Sequence, residues 1–323
     1  MRHQILMAVP MAACLLFSPT LHGQSLGDAQ IAHIAVTANQ LDITAAELAL
    51  EKSSHSEVRR FAETMIRDHK GVIEQAVALA DRLGVTPADN ELSRSLTTQT
   101  EETLSRLRSL EGASFDHAYI GNEVAYHETV ITAVAETLIP SASHPDLRQL
   151  LRDVLPALRA HLDHARHVQE DLPLDDAVIA HIAVTANELD ITAAEQALQK
   201  SSHPEVRRFA QTMVRDHRGV IEQAAGLAGR LGLTPVDNHL SRSLEAQASD
   251  VRERLGSLQG VAFDRAYIEH EVTYHAAVIA TVRDTLIPNA ANAELRALLE
   301  GVVPALEAHL NHARQVGREL RNR

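Results

Sequence analysis

Met-Ile-Arg-Asp-His-Lys-Gly-Val-Ile, residues Met65–Ile73, returns as Met-Val-Arg-Asp-His-Arg-Gly-Val-Ile at Met213–Ile221. On a helix, residues three, four and seven apart share a face. The neighbours of His69 at those spacings are Ala62, Met65, Ile66, Val72, Ile73 and Ala76, and all six are apolar. The stretch therefore reads as an amphipathic helix with an imidazole in the middle of its inward stripe. A polar ring on such a face must find partners in the core.

The second copy lies 148 residues after the first, and the same offset carries Ile31 to Ile179, His127 to His275 and His161 to His309. The register holds without a gap from Ile31 to Glu170, with roughly two thirds of positions identical, so the chain reads as a duplicated domain. Residues 28–170 form the first copy, 171–176 a linker around Pro173, and 177–319 the second copy.

Within a copy the pattern predicts four long helices and a shorter one, and no strand. The first helix runs from about Asp28 to Lys52, with Ser54 expected to cap the second. The second ends near Arg82, where Gly84 and Pro87 follow. A more polar helix spans Leu92–Leu110. The third long helix runs from about Ser114 to Leu138, stopped by Pro140, and the fourth from about Pro145 to Glu170, kinked at Pro156. Short connections make the first and last pairs antiparallel hairpins. The long connection between helices two and three can cross the length of the bundle. The expected fold is all-α: two tandem ferritin-like four-helix bundles, each with an extra short helix in that crossover.

Every long helix carries an ionisable residue in its apolar stripe: Asp42, His69, His127 and His161 in the first copy, and Asp190, His217, His275 and His309 in the second. At 1.5 Å per residue the four of one copy fall within a band of about 9 Å. A buried carboxylate or imidazole without a partner costs several kcal/mol. Three imidazoles and one carboxylate suit a mononuclear site for a first-row transition ion such as Zn, Fe, Cu or Mn. The competing expectation is a metal-free network in which Asp42 accepts from the histidines. Glu123, at the stripe edge, is a candidate for a supporting or surface role. His164 is an alternate ligand or a solvated residue. Asp68 and Asp116 are placed at the rim, Tyr119 and Tyr126 in simple packing with hydroxyls capping the pocket as the alternative, and Arg59-Arg60 on a solvated face.

The net charge of −13 leaves no basic face for a nucleic acid. Only 3% of residues are aromatic and none is Trp, so Ala, Leu, Val and Ile must fill the core, which suits closely packed helices. Residues 1–23 resemble a secretory signal peptide. Arg2 supplies the charge, Ile5–Phe17 the apolar run, and Leu21-His22-Gly23 a cleavage site. The run is too short to span a bilayer as a helix. The expectation is an exported protein, periplasmic or secreted, with an uncleaved N-terminal membrane anchor as the alternative. Cys14, after Met11-Ala12-Ala13, faintly resembles a lipoprotein processing site. Cleavage at Gly23 would remove this single Cys, leaving no disulfide or thiolate chemistry.

The run Ser53-Ser54-His55-Ser56-Glu57-Val58-Arg59-Arg60-Phe61-Ala62, continuing to Met65-Ile66-Arg67-Asp68-His69, is similar to the DUF4142 family of exported bacterial proteins. So are Phe115-Asp116-His117-Ala118-Tyr119, Val124 to His127, and Leu155-Pro156 with His161. The resemblance implies a ferritin-like four-helix bundle, with no established biochemical role. That family usually carries Glu where this chain has Asp42 and Asp190, and more often has a single domain. Di-iron carboxylate bundles need Glu-x-x-His on two helices. Here Ile66 and Leu158 stand three residues before His69 and His161, so ferroxidase chemistry is not expected. The sequence positions no nucleophile and no Gly-rich phosphate loop, so an enzyme ranks behind two other functions. The first is an exported metal-binding protein acting in envelope metal handling or stress. The second is a non-enzymatic envelope stress or interaction module.

Overall fold

The computed structural model describes residues 26–322. The signal-peptide segment and Cys14 lie outside the described residues. The described chain is helical, with no strand among its residues, and it divides into two compact units, Met1–Leu172 and Pro173–Arg323. No described helix is long and apolar enough to cross a membrane.

The first unit contains α1 (Asp28–Lys52), α2 (Ser56–Leu83), α3 (Glu91–Arg108), α4 (Gly112–Ala133) and α5 (Pro145–Asp171). The second repeats them as α6 (Asp176–Lys200), α7 (Pro204–Leu231), α8 (His239–Ser257), α9 (Gly260–Thr281) and α10 (Ala293–Arg321). In the first unit α1 packs chiefly on α2, and α4 on α5. Contacts of α2 with α5 and of α1 with α4 close the ring of four, and α3 lies on α1. The second unit repeats this packing.

Local chemistry sets the helix ends. Gly84 closes α2 at φ +64°, in the left-handed region that only glycine adopts cheaply, and its N–H reaches the carbonyls of Ala80 and Asp81. Asn90 caps α3 through its side chain and the Ser93 N–H. The start of α2 departs from expectation. His55, not Ser54, is its first flanking residue, and Ser53 Oγ instead accepts from the His55 N–H at 3.1 Å. Arg59 is not merely solvated either. Its Nη1 donates to the carbonyls of Leu50 and Ser53 at 2.6 and 3.0 Å, satisfying groups left bare where α1 ends.

Proline acts differently at its two sites. α4 does not stop before Pro140. It passes into a π turn, Val134–Leu138, where the Ile139 N–H bonds to the Val134 carbonyl, and then into a short turn, Ile139–Ser141. The wider register lies immediately before the residue that has no N–H to donate. α5 continues through Pro156 without ending.

Each core is layered along the bundle. One end of the first unit is packed by Val58, Phe61, Met65, Phe115, Tyr119 and Ile120, all with no exposed surface. Phe61 meets the ring edges of Tyr119 and His164 at centroid distances of 6.2 and 5.2 Å. The other end holds Ile31, Ile34, Leu92, Leu96, Leu138 and Leu151. The polar side chains of the four long helices lie between these layers.

Candidate metal centre

Three of the four residues predicted for the first unit share one cluster, and the fourth, Asp42, lies beside two of them. One nitrogen from each of His69, His127 and His161 lies within 4.8 Å of the other two. The ring centroids are 5.2 to 5.8 Å apart. Asp42 Oδ2 stands 3.3 Å from His69 Nε2 and 3.7 Å from His127 Nε2. All four side chains are buried.

The hydrogen bonds fix where the ring protons sit. Asn39 donates its amide N–H to the Ala35 carbonyl at 2.7 Å, so its Oδ1 accepts from His69 Nδ1 at 2.6 Å. His127 Nδ1 donates to the Glu123 carbonyl at 2.9 Å. His161 Nε2 donates to Asp68 Oδ2 at 3.1 Å. Arg67 bonds Asp68 at 2.7 Å and holds its carboxyl below the usual range, so it is an ionised acceptor. A ring in its neutral form therefore spends its one N–H on an outer partner and keeps one bare lone pair. The nitrogens left without a hydrogen-bond partner are His69 Nε2, His127 Nε2 and His161 Nδ1. Both Asp42 oxygens are likewise buried without a hydrogen-bond partner. Outer acceptors of this kind are what orient metal-ligating histidines.

Burial also disfavours charge on the rings. It lowers His69 to about 3, helped by His127 and His161, and His127 to about 4. Burial pushes the Asp42 carboxyl up to about 8.

Three groups have larger roles than their spacing suggested. Glu123 is not a surface group. It is buried, with Oε2 3.6 Å from His127 Nδ1, and Asp42, Glu123 and His127 form a second cluster that could hold an ion. Its i,i+4 relation to His127 was the available signal. Asn39 and Asp68 supply the outer acceptors. One shares the face of Asp42 and the other adjoins His69. Asp68 is at the rim, as placed, but His161 pairs with it and not with Asp42. His164 is outside the cluster, against Phe61. Asp116 is buried rather than at the rim, near Ser53 and His55. The Tyr126 hydroxyl ties α4 to α1 through the Ala38 carbonyl at 2.8 Å.

The second unit reproduces the arrangement with His217, His275 and His309. Asp190 Oδ2 lies 3.2 Å from His217 and 3.5 Å from His275. Asn187, the Glu271 carbonyl and Asp216 hold the outer nitrogens at 2.6, 3.0 and 3.0 Å. Burial raises the Asp190 carboxyl, but contact with His217 and the charges of the three histidines outweigh it and hold the group below its ordinary value. Burial lifts Glu271 to about 7.

Fold and centre together define a class: an all-helical tandem protein with a buried histidine–carboxylate cluster in each unit. The chain belongs to the DUF4142 family, described as a domain of unknown function, whose model matches residues 18–168 and again 169–316. No curated protein and no solved structure matches it.

Proposed function

We propose that the chain is an exported metal-binding protein of the cell envelope, holding one transition-metal ion per unit and serving metal handling or stress. His69, His127, His161 and Asp42 would hold the ion in the first unit. His217, His275, His309 and Asp190 would do so in the second. The observation that carries this reading is the set of three imidazole nitrogens per unit left without a hydrogen-bond partner, each opposite a ring nitrogen held by an outer acceptor. Nitrogen donors with one carboxylate fit Zn, Fe, Cu or Mn better than Ca or Mg, which prefer oxygen. Glu123 and Glu271 lie beside the first carboxylate and would complete or support the set.

Thermal unfolding of the untagged full chain with each of the four ions tests this. A bound ion stabilises the folded state by mass action, so the midpoint should rise with ion concentration. No rise with any of them would reject the proposal.

A metal-free network is the second reading, favoured by the contact of Asp42 with His69. A protonated Asp42 could donate to the bare His69 nitrogen. The chain would then be a stress or interaction module whose polar core only specifies the fold. Replacing His69 by Leu and His127 by Met together should then leave stability equal or higher. Loss of a bound ion in that variant would reject this second reading.

A further inference from the structure

The three histidines of a centre are held by different kinds of group. His69 donates to the amide oxygen of Asn39 and His127 to the backbone carbonyl of Glu123, and both acceptors are uncharged. The Asn39 amide N–H is itself spent on the Ala35 carbonyl. His161 donates instead to a carboxylate, that of Asp68, at 3.1 Å. Asp68 keeps 34% of its side chain exposed. Of the three outer acceptors, it is the one that joins a charge to solvent. The second unit repeats the contrast. Asn187 and the Glu271 carbonyl hold His217 and His275, while Asp216, 32% exposed, holds His309 at 3.0 Å.

Asp68 and His161 together suit a cation arriving from solvent. Each carboxylate oxygen has two lone pairs. Asp68 Oδ1 accepts from Arg67 Nε at 2.7 Å and Oδ2 accepts from His161 Nε2, so a second lone pair of Oδ2 stays open beside the imidazole. Two ligand atoms held about 2.1 Å from a transition ion, at roughly 90–110° to one another, stand about 3.0–3.4 Å apart. The Oδ2–Nε2 separations of 3.1 and 3.0 Å in the two units fall in that span. Arg67, also exposed, offsets part of the carboxylate charge and keeps capture weak, so that an ion is passed on and not retained. Asp68, His69 and His161 line one cleft, and Asp216, His217 and His309 line its counterpart, so each pair shares a path with the centre behind it.

We propose that Asp68 with His161, and Asp216 with His309, are entry sites through which a transition-metal ion reaches each centre. The ion is caught between the carboxylate and Nε2, and the Nε2 proton leaves to solvent. Turning the ring about its Cβ–Cγ bond then presents the ion to His69 and His127, whose ring centroids lie 5.2 and 5.5 Å from that of His161. This rests on the metal reading and adds a route to it, with Asp68 and Asp216 governing how fast ions exchange.

The test uses the full chain with His217 and His275 replaced by Gln, so that one centre is read. The probe is the zinc ion. A fluorescent zinc indicator follows its uptake after rapid mixing and its release into excess chelator. Asp68→Asn removes the charge but keeps an oxygen that accepts from His161. Loss of an entry site raises the barrier from both sides. Loading and release should therefore each slow about fivefold, the scale of one charge at contact distance in water, with zinc still bound at equilibrium. An Asp68 that only orients His161 would behave otherwise, its loss weakening the bound state and quickening release. Asp163→Asn removes an exposed charge two residues from His161 and should leave both rates nearly unchanged. Asp216→Asn, with His69 and His127 replaced instead, repeats the test at the second centre, and circular dichroism checks the helix content of each variant. Unchanged rates or quicker release in the Asp68 and Asp216 variants would overturn the entry sites, as would equal slowing in Asp163→Asn. A parent chain that takes up no zinc gives a distinct result, which would overturn the metal reading and the entry sites with it.

Discussion

The two units hold the same polar centre with pair distances that agree to about 0.3 Å, yet differ in the layer next to it and in the titration of their carboxylates. Asp42 and Asp190 occupy equivalent positions. Burial wins at Asp42 and lifts it to about 8, while contacts with the histidines win at Asp190 and hold it low. Desolvation and pairing with the histidines oppose one another at both carboxylates. The layers differ for another reason. Replacing Leu104 by Arg252 and Leu48 by Gln196 removes apolar seal from one side of the bundle, while the four long helices keep their positions. A rigid framework thus preserves the centre while its surroundings diverge.

The largest expected effect probes what the units share. Phe61→Ala and Phe209→Ala empty a fully buried site at the same end of each bundle. Each should cost about 3–5 kcal/mol in urea denaturation. A much smaller cost in one unit would show that the end layers are not equivalent.

The next effect tests the outer acceptors. Asn39→Leu and Asn187→Leu free the ring proton of His69 and His217. Each should weaken metal binding in its own unit about 10–100-fold, read by competition with a chromophoric chelator. Unchanged affinity would show that the asparagines do not orient the ligands.

The third sharpens the difference between the carboxylates. Near pH 7, an ion entering the first unit must displace the Asp42 proton, whereas at the second Asp190 is held ionised and only the share of His275 kept protonated by Glu271 and Asp190 is displaced. Calorimetry in buffers of different ionisation enthalpy should therefore show greater proton release at the first centre, measured on full chains with the other centre disabled. Equal release would erase the contrast. The stability signs also oppose. Asp42, raised on folding, contributes stability that is complete below its unfolded value near 3.8 and lost as pH rises through about 8. Asp190, lowered on folding, contributes stability present above its unfolded value and lost as pH falls through its lowered folded value.

The smallest effect should be the same in both units. Gly71→Ala and Gly219→Ala place a methyl in open space on a helix interior. Each should stabilise by about 0.5–1 kcal/mol in thermal unfolding, through helix propensity alone. Destabilisation in either unit would mean that the space is needed.

Much of this was legible in the sequence because helices convert spacing into faces. His69, His127, His161 and Asp42 each sit mid-stripe, so their convergence followed from the 3.6-residue repeat and loop lengths. Glu123 was underrated because a stripe edge is buried or exposed according to how neighbouring helices rotate, which periodicity does not encode. The role of Arg59 depended on a reach back across the α1–α2 turn. Pro140 looked like a stop because a π turn has no sequence signature as plain as a proline. The half-burial of Leu240 and Leu244 could not be foreseen, since they match the buried Leu92 and Leu96 in residue type. Their exposure depends on the packing of α8 as a whole.

Elemental analysis of the untagged full chain, loaded with each candidate ion and freed of excess, addresses the central claim most directly. Two ions per chain are expected, falling to one when His69 and His127 are replaced by Gln and to none when His217 and His275 are replaced as well. A chain that retains no ion, or retains both in the first variant, would contradict it.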